Sequence, residues 1–458
     1  MKELRLNKIK ELLNVTTHNE DTVIYHVEND IKKIKDDTLV FHLNKKEELD
    51  FKLFNKSKNC FIVTDQPILN NNKEKVSFFL HVLDVKKAYQ KFIDYYRKLF
   101  NLPVIAITGT CGKTTTKEII KQILEKKSTV AATIGNKNAL SFDLGYLLRI
   151  DDKTDYGVFE TAISYPGNLI FGCNFFKPTI GVITNIGIDH LSGCKTVDNY
   201  IRTKGEMLAG LNYQGTLIIN HDDDNIKKID MSPFKGKIIT FGIDNVSDYQ
   251  AEAIVYKDKG MTFTLKTRDK KYKAYIPGYG KHNVYNALAA LAVLDELGIN
   301  IEEAIEDLAS ITFIRSHLAF HEGINKSIII DDTWSSNPTS MKAAFEVIQE
   351  LGKDKVKIAV LGKISYLGDY ALEQYENIGK MIVDYKFDIL ITLDIFSKQI
   401  AKSAANHHMK NSRILYCKTI EDLKSTLESL LDSNTMVLFK VSIKNKEVTT
   451  LIHDIINE

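Results

Sequence analysis

One segment near residue 105 constrains the fold of this chain more than any other feature. It reads NLPVIAITGTCGKTTTKEII, from Asn101 to Ile120. The β-branched run Val104–Ile107 predicts a buried strand, and isoleucines recur at helical spacing after the glycines. A strand, a glycine loop and a helix in this order are typical of a P-loop, in which backbone N–H groups face a phosphate and a lysine adds positive charge.

The predicted phosphate-binding residues lie between this strand and the first turn of the helix. They are Gly109, Thr110, Cys111, Gly112, Lys113, Thr114 and Thr115. A threonine directly after the lysine can hold a magnesium ion. The general P-loop pattern has glycine five residues before Gly112, where this chain has Ile107. At this point the match is either a coincidence or the mark of a particular subclass.

Length and composition bound the number of domains and the partners. A chain of 458 residues is too long for one ordinary core, and about three domains are expected. Sixty-one basic against 59 acidic side chains give a formal net charge of +2, so no global field attracts nucleic acid. No stretch reaches the roughly 20 apolar residues of a membrane span, and the N-terminus lacks the apolar region of a signal peptide. We therefore expect a cytoplasmic monomer that neither inserts into membranes nor binds nucleic acid.

Alternating strand-like and helical runs predict an α/β fold with three domains. Residues 1–100 read as a small α/β domain. Residues 101–312 read as a central P-loop domain with a parallel-rich sheet, which would bind the nucleotide. Residues 313–458 read as a Rossmann-like, doubly wound domain. Five cysteines without a CxxC pair argue against a disulfide framework or a structural zinc site.

Further motifs follow the P-loop within the predicted central domain. The segments are VFETAISYPGNL with Glu160, KPTIGVITNIGIDHL with Asn185 and His190, IRTKGEML with Lys204, and GKHNVYNALAA with His282, Asn283 and Asn286. In order and spacing they resemble the central domain of the Mur ligases, a family that carries an aliphatic residue where Ile107 stands. Two later segments, IIIDDTWSSNPTSMKAAF and AVLGKISYLGDYALEQYENIG, resemble the MurF branch, which adds D-alanyl-D-alanine to a muramoyl tripeptide.

The residues themselves suit the joining of a carboxylate to an amine. Transfer of the γ-phosphoryl group of ATP to a carboxylate gives an acyl phosphate, which the amine then attacks. Both steps concentrate negative charge, so a lysine such as Lys113 and two magnesium ions are a sensible requirement. We expect Thr114 and Glu160 to hold one magnesium through hard oxygen ligands. We expect His190 to help hold the second. The resemblance adds Lys204, so that the expected catalytic set is Lys113, Glu160, His190 and Lys204.

The resemblance implies roles that the residues alone do not. In this family the lysine equivalent to Lys204 is commonly carbamylated by carbon dioxide, which would make it an anionic ligand of the second magnesium. Asn286 would contact the adenine ring. The remaining residues that the resemblance assigns to the nucleotide are Asn185, Asn283, Arg315 and Asp332. Arg315 and Asp332 would reach ATP when the third domain closes.

Departures from the family pattern fall in regions that would bind the substrates. The first domain should recognise a UDP-linked acid, but it has HVENDIKKIKDDTLVFHLN where a DSR signature is usual. Lys363 replaces an acidic residue, and Ile443 replaces an arginine whose planar fork can grip a carboxylate. Trp334 and Ser335 replace Tyr and Asn. These changes predict weaker use of UDP-muramoyl tripeptide and D-alanyl-D-alanine than is usual in the MurF branch. The alternative is that a nearby side chain, such as Lys363, rebuilds the carboxylate grip from another direction.

Three functions remain open from the sequence. The first is an ATP-dependent amide ligase of MurF type in peptidoglycan precursor synthesis, acting on a UDP-muramoyl peptide and a dipeptide. The second is a relative that joins a different small-molecule acid and amine in a secondary-metabolite or cofactor pathway. The third is a nucleotide-binding regulator that does not ligate. Preserved second-metal ligands argue against the third, because a protein that only binds a nucleotide has no need of them.

Overall fold

The computed structural model describes residues 1–16, 21–45, 57–66, 78–138, 144–313, 316–442 and 445–456. Arg315 and Ile443 lie outside these ranges. The chain divides into two compact units. The first unit contains Met1–Ile105, Lys127–Phe159 and Phe171–Pro178. The second unit contains Ala106–Lys126, Glu160–Ile170 and Thr179–Glu458.

The secondary structure alternates strands and helices along most of the chain. The strands are β1 (Leu4–Arg5), β2 (Val23–Ile24), β3 (His26–Glu28), β4 (Thr38–Phe41), β5 (Phe61–Thr64), β6 (Phe79–His81), β7 (Val104–Thr108), β8 (Val130–Ala132), β9 (Tyr156–Glu160), β10 (Ile180–Ile183), β11 (Thr216–Asn220), β12 (Lys237–Gly242), β13 (Tyr249–Lys257), β14 (Gly260–Lys266), β15 (Lys271–Pro277), β16 (Ala319–Glu322), β17 (Ile328–Asp331), β18 (Val356–Leu361), β19 (Ile389–Thr392), β20 (Ile414–Tyr416) and β21 (Thr435–Lys440).

The α-helices connect these strands or cover the sheets. They are α1 (Leu6–Leu13), α2 (Val85–Lys98), α3 (Lys113–Leu124), α4 (Asn168–Phe176), α5 (Leu191–Cys194), α6 (Val197–Gly205), α7 (Met207–Gly210), α8 (Lys281–Glu296), α9 (Ile301–Leu308), α10 (Pro338–Leu351), α11 (Ala371–Asp384), α12 (Lys398–Asn406), α13 (Ile420–Leu430) and α14 (Lys446–Ile455). Within the described ranges, no helix has both the length and the apolar character required to cross a membrane.

The first unit contains a parallel four-stranded sheet in the order β3-β4-β5-β6. Every residue of β4 and β5 is buried, as expected for parallel strands that are covered on both faces. Helix α2 begins after Asp84, whose side chain accepts a hydrogen bond from the Lys87 backbone. Its apolar face joins the sheet in one core, where the rings of Phe41 and Phe92 lie 5.3 Å apart. The same unit contains the parallel pair β8 and β9.

The first sheet of the second unit has the strand order β15-β14-β13-β12-β11-β10-β7. The strands from β10 to β13 run parallel, whereas β13, β14 and β15 form antiparallel pairs. Helix α8 is buried at nearly every position from Asn283 to Leu294, so it is a core helix that is covered on all sides. This helix also packs against α3, the helix that follows the P-loop.

The second sheet of the second unit has the order β16-β17-β21-β18-β19-β20, and all its pairs are parallel except β16 with β17. Because side chains alternate along a strand, neighbouring residues point to opposite faces. Ile330 and Leu438 form a core with α10, α11 and α12, while Ile329 and Val437 form another with α13 and α14. The sheet is therefore doubly wound, which confirms the predicted α/β class with parallel-rich sheets.

Candidate active site

The loop between β7 and α3 has backbone geometry that requires glycine at two positions. Gly109 has a φ of 150° and Gly112 a φ of 83°. A Cβ atom on Gly109 would lie 1.9 Å from Thr184 Oγ1, and one on Gly112 would lie 2.2 Å from Asn286 Oδ1. No side chain fits at either position, so the neighbouring residues press directly on the loop backbone. The loop then enters the N-terminus of α3 at Lys113, where free backbone N–H groups favour an anion.

Residues that follow β10 hold this loop in place. The Cys111 backbone N–H donates to Asn185 Oδ1 at 2.9 Å, and Asn185 Nδ2 donates to the Cys111 carbonyl at 3.0 Å. The Thr184 hydroxyl donates to the same carbonyl at 2.6 Å. Thr110 Oγ1 lies 3.0 Å from the Tyr200 hydroxyl and accepts the Gly187 N–H. Asn185 therefore shapes the predicted phosphate loop through both atoms of its amide.

Lys113 lies folded over its own loop. Its ammonium donates to the carbonyl of Gly109 at 2.9 Å and to that of Thr110 at 3.0 Å. A bound phosphate would offer charged oxygens in place of these neutral carbonyls. Charged acceptors form the stronger hydrogen bonds, so the lysine is poised to exchange one set for the other. Thr115 follows on the first turn of α3 and is partly exposed.

Thr114 and Glu160 come together although 46 positions separate them. The Thr114 hydroxyl donates to Glu160 Oε2 at 3.1 Å. Glu160 ends β9 and is fully buried, and its Oε1 atom lies 3.5 Å from the ammonium of Lys117. Lys117 is also fully buried and pairs with Glu118 at 2.6 Å. Lys117 was not among the residues predicted from the sequence. Its place one helical turn after Thr114 puts both residues on one face of α3, but nothing in the sequence indicates that it is buried.

Lys204 projects from α6 towards the base of the same loop. Its ammonium donates to Thr108 Oγ1 at 3.0 Å and to the Gly109 carbonyl at 2.9 Å. The side chain is buried, and the ring of Tyr200 lies 5.3 Å from its nitrogen. Burial lowers the pKa of Lys204 well below its usual range, and the positive charge of Lys113 lowers it further. Both effects favour the neutral amine over the ammonium.

His190 lies at a tight turn before α5, with a φ of 51°. Its ring stacks on that of Tyr366, with 5.2 Å between the centroids and 23° between the planes. Burial lowers the pKa of His190, while the Asp189 carboxylate acts in the opposite direction. Tyr366 belongs to the segment after β18, so a distant part of the chain orients the predicted metal ligand.

The N-terminus of α10 also reaches the P-loop. Asn337 caps this helix by accepting the Ser340 N–H at 2.9 Å, in a capping box. The Cys111 thiol donates to Asn337 Oδ1 at 3.5 Å, and Asn337 Nδ2 donates to Asp189 Oδ2 at 3.4 Å. Thr339 adds a contact by accepting the Ile188 N–H at 3.3 Å. Asn337 was not predicted from the sequence, because its partners Cys111 and Asp189 lie 226 and 148 positions away along the chain.

Of the other residues predicted to bind the nucleotide, some contact the loop and others have different partners. Asn286 contacts the loop, because its Oδ1 atom accepts from the Thr116 hydroxyl at 3.4 Å beside Gly112. Asn283 donates instead to the carbonyl of Tyr279 at 3.0 Å. Asp332 forms a buried ion pair with Lys440 at 2.5 Å. Burial raises the pKa of Asp332, and Lys440 opposes that change.

The donor set beside the loop fits magnesium better than a transition metal. Among the residues that the structure describes, no three His, Cys, Asp or Glu side chains gather around a common point. The Thr114 hydroxyl and the Glu160 carboxylate are hard oxygen donors. Magnesium commonly takes one or two such protein ligands and completes its shell with phosphate oxygens and water. The arrangement therefore suits a magnesium ion that arrives with a nucleotide.

The segments of the chain that form this site match families of known proteins. The family model of the Mur ligase middle domain matches residues 107–294, and that of the Mur ligase glutamate ligase domain matches residues 318–443. The UDP-N-acetylmuramoyl-tripeptide–D-alanyl-D-alanine ligase of Bacillus subtilis is 28% identical over 461 residues, which cover 98% of each chain.

Solved structures show the same fold. MurF from Acinetobacter baumannii has a TM-score of 0.87 at 24% identity and covers 99% of each chain. MurF from Thermotoga maritima, solved in complex with ADP, has a TM-score of 0.80 at 21% identity and covers 94% of this chain and 97% of its own. The two matched domains follow each other in the same order as the P-loop sheet and the doubly wound sheet. This chain belongs to the Mur ligase family.

Proposed function

We propose that this protein uses ATP to join UDP-N-acetylmuramoyl tripeptide to D-alanyl-D-alanine through an acyl phosphate, as a step of peptidoglycan precursor synthesis. The observation that carries the proposal is the convergence of Lys113, Lys204 and the Thr114–Glu160 pair on one glycine loop. The full-length similarity to the Bacillus subtilis ligase supports the choice of substrates.

The roles of the loop residues follow from their positions. When bound, ATP would supply the phosphoryl group that activates the carboxylate, and magnesium would neutralise the phosphate charge. Backbone N–H groups at the start of α3 would bind the phosphates, and Lys113 would leave its two carbonyl partners to contact them. Thr114 and Glu160 would offer the oxygens that hold the metal. Asn286, beside Gly112, would lie next to the nucleotide.

The ligation then follows a balanced course. The carboxylate of the acid takes the γ-phosphoryl group, which leaves ADP and an acyl phosphate. The amine nitrogen attacks the carbonyl carbon, a C–N bond forms, the C–O bond to phosphate breaks, and inorganic phosphate and a proton are released. His190, held by the Tyr366 ring, would help to neutralise the negative charge of the activated acid through the second magnesium.

Carbamylation of Lys204 is a further part of the proposal. The buried amine lies against the Gly109 carbonyl beside the P-loop, and burial lowers its pKa, which favours the neutral form that can attack carbon dioxide. The nitrogen would form a bond to the carbon, lose a proton and become an anionic carbamate. That change would replace a positive charge by a negative one at the place where a second metal ion needs a ligand.

Phosphate release with the two named substrates tests the function. We expect release that depends on ATP, magnesium, the acid and the amine together, and a product whose mass equals the two substrates less one water. The loss of the arginine fork, where this chain has Ile443, and the changes at Trp334 and Ser335 predict a kcat/KM below about 10⁴ M⁻¹s⁻¹, the lower end of the usual range. A higher value would show that these departures are neutral, and no release would contradict the function itself.

The location of the enzyme, its oligomeric state and its binding of uridine are also part of the proposal. A cytoplasmic location, a monomeric state and recognition of the uridine nucleotide by residues 1–100 are all expectations from the sequence. The contacts of Arg315, Asn283 and Asp332 with ATP are likewise expectations, which the resemblance implies. Sedimentation of the pure protein would test the monomeric state. Binding of UDP alone to the full chain would test recognition of the uridine nucleotide.

A further inference from the structure

Two loops meet where parallel strands of the doubly wound sheet end. The segment after β18 begins with Gly362 and Lys363, and the segment after β19 contains Ile395 and Phe396. The Lys363 ammonium lies 4.3 Å from the centre of the Phe396 ring, within the range of a cation–π contact. We call Lys363, Ile395 and Phe396 the edge cluster. In open parallel sheets, ligands bind outside the carboxyl ends of the strands.

The edge cluster is open to solvent and its cation is available. Ile395 is 69% exposed and Phe396 is 47% exposed, so the cluster presents an apolar surface beside a charge. None of the ion pairs between described residues includes Lys363. Asp394, in the same loop as Phe396, is occupied by the backbone N–H groups of Phe396 and Ser397, both at 2.9 Å.

The loop that carries Lys363 also contacts the predicted metal ligand. Three residues further on, the ring of Tyr366 stacks on His190, and its carbonyl accepts the Ser192 N–H at 3.0 Å. Three residues of extended chain span at most about 11 Å. The edge cluster is therefore tied by a short stretch of backbone to the place where ligation would occur.

We propose that the edge cluster binds the amine substrate by its far end. The Lys363 ammonium pairs with the carboxylate of a small amino acid or dipeptide, and Ile395 and Phe396 contact its apolar side chain. The amine at the other end is then directed towards the activated acid near His190. This inference rests on the proposed function, because it names how the second substrate of that reaction is held.

Paired substrates and paired variants test the edge cluster. The substrates are D-alanyl-D-alanine and its C-terminal amide, which lacks the negative charge. For the unaltered protein we expect a KM for the dipeptide about tenfold lower than for the amide, because a charge-assisted contact is lost. Lys363→Met should remove this preference by raising the KM of the dipeptide, with the KM of ATP unchanged. Lys363→Arg, which keeps the cation, should restore the preference.

Lys402→Met provides the control, since Lys402 is an exposed lysine on α12, a helix that packs against the same sheet. It should retain the preference, and all three variants should have the thermal midpoint of the unaltered protein. A preference that survives Lys363→Met overturns the inference and leaves the proposed function intact. Failure of the unaltered protein to release phosphate with any of these amines overturns the proposed function and the inference together.

Discussion

At Gly112 the backbone and the surroundings both exclude a side chain. The residue has a φ of 83°, and a Cβ atom would lie 2.2 Å from Asn286 Oδ1. Gly112→Ala should therefore distort the phosphate loop and weaken the binding of an ATP analogue by at least about tenfold, measured by calorimetry. Gly135→Ala is the control, because Gly135 also has a positive φ, of 52°, but open space around it. Similar affinities in the two variants would contradict the steric explanation.

The buried ammonium of Lys204 makes stability depend on pH. Because burial lowers its pKa, the unfolded chain binds more protons than the folded chain between the lowered pKa and the ordinary value of about 10.5. Over that window the free energy of unfolding rises with pH. Urea denaturation in buffers free of carbon dioxide should show this rise, and Lys204→Met should flatten it. An equal slope in both proteins would mean that Lys204 keeps its proton in the folded state.

At the scale of the element, the start of α10 combines a structural role with a functional one. Asn337→Ala removes the helix cap, which costs about 1 kcal/mol of stability. It also removes the contacts with Cys111 and Asp189. Thr419→Ala is the matched control, because Thr419 forms the same capping box at the start of α13.

We expect both variants to unfold at a lower urea concentration and by a similar amount. Only Asn337→Ala should raise the KM for ATP in phosphate-release assays, because only this cap reaches the P-loop. A normal KM in Asn337→Ala would show that the contact of α10 with the loop does not matter for the reaction.

At the scale of the whole molecule, nucleotide binding should stabilise the fold by mass action. A ligand that binds only the folded state adds about 2.7 kcal/mol when its concentration is about 100 times its Kd. Magnesium and ATP should therefore raise the thermal midpoint, and Lys113→Met should abolish most of this shift. Lys121→Met, at an exposed ion pair on the same helix, should leave the shift unchanged. A full shift in Lys113→Met would contradict the role of this lysine.

The sequence determined the local features of this protein. The glycine loop between strand and helix follows from contiguous residues, since the φ angles of Gly109 and Gly112 and the start of α3 are properties of the local chain. The α/β class follows likewise from the spacing of apolar residues along strands and helices. The boundaries near residues 100 and 312 stay predictions.

Tertiary structure decided which distant residues meet at that loop. Asn337 lies 226 positions from Cys111, and Lys440 lies 108 positions from Asp332, so no local pattern connects them. The full burial of Lys117 and Lys204 had no signal either, because exposure depends on what packs over a helix and not on the residue itself. A sequence encodes backbone preference over a few residues. Contacts across a hundred residues, and the pKa changes that burial causes, exist only once the sheets and helices have packed.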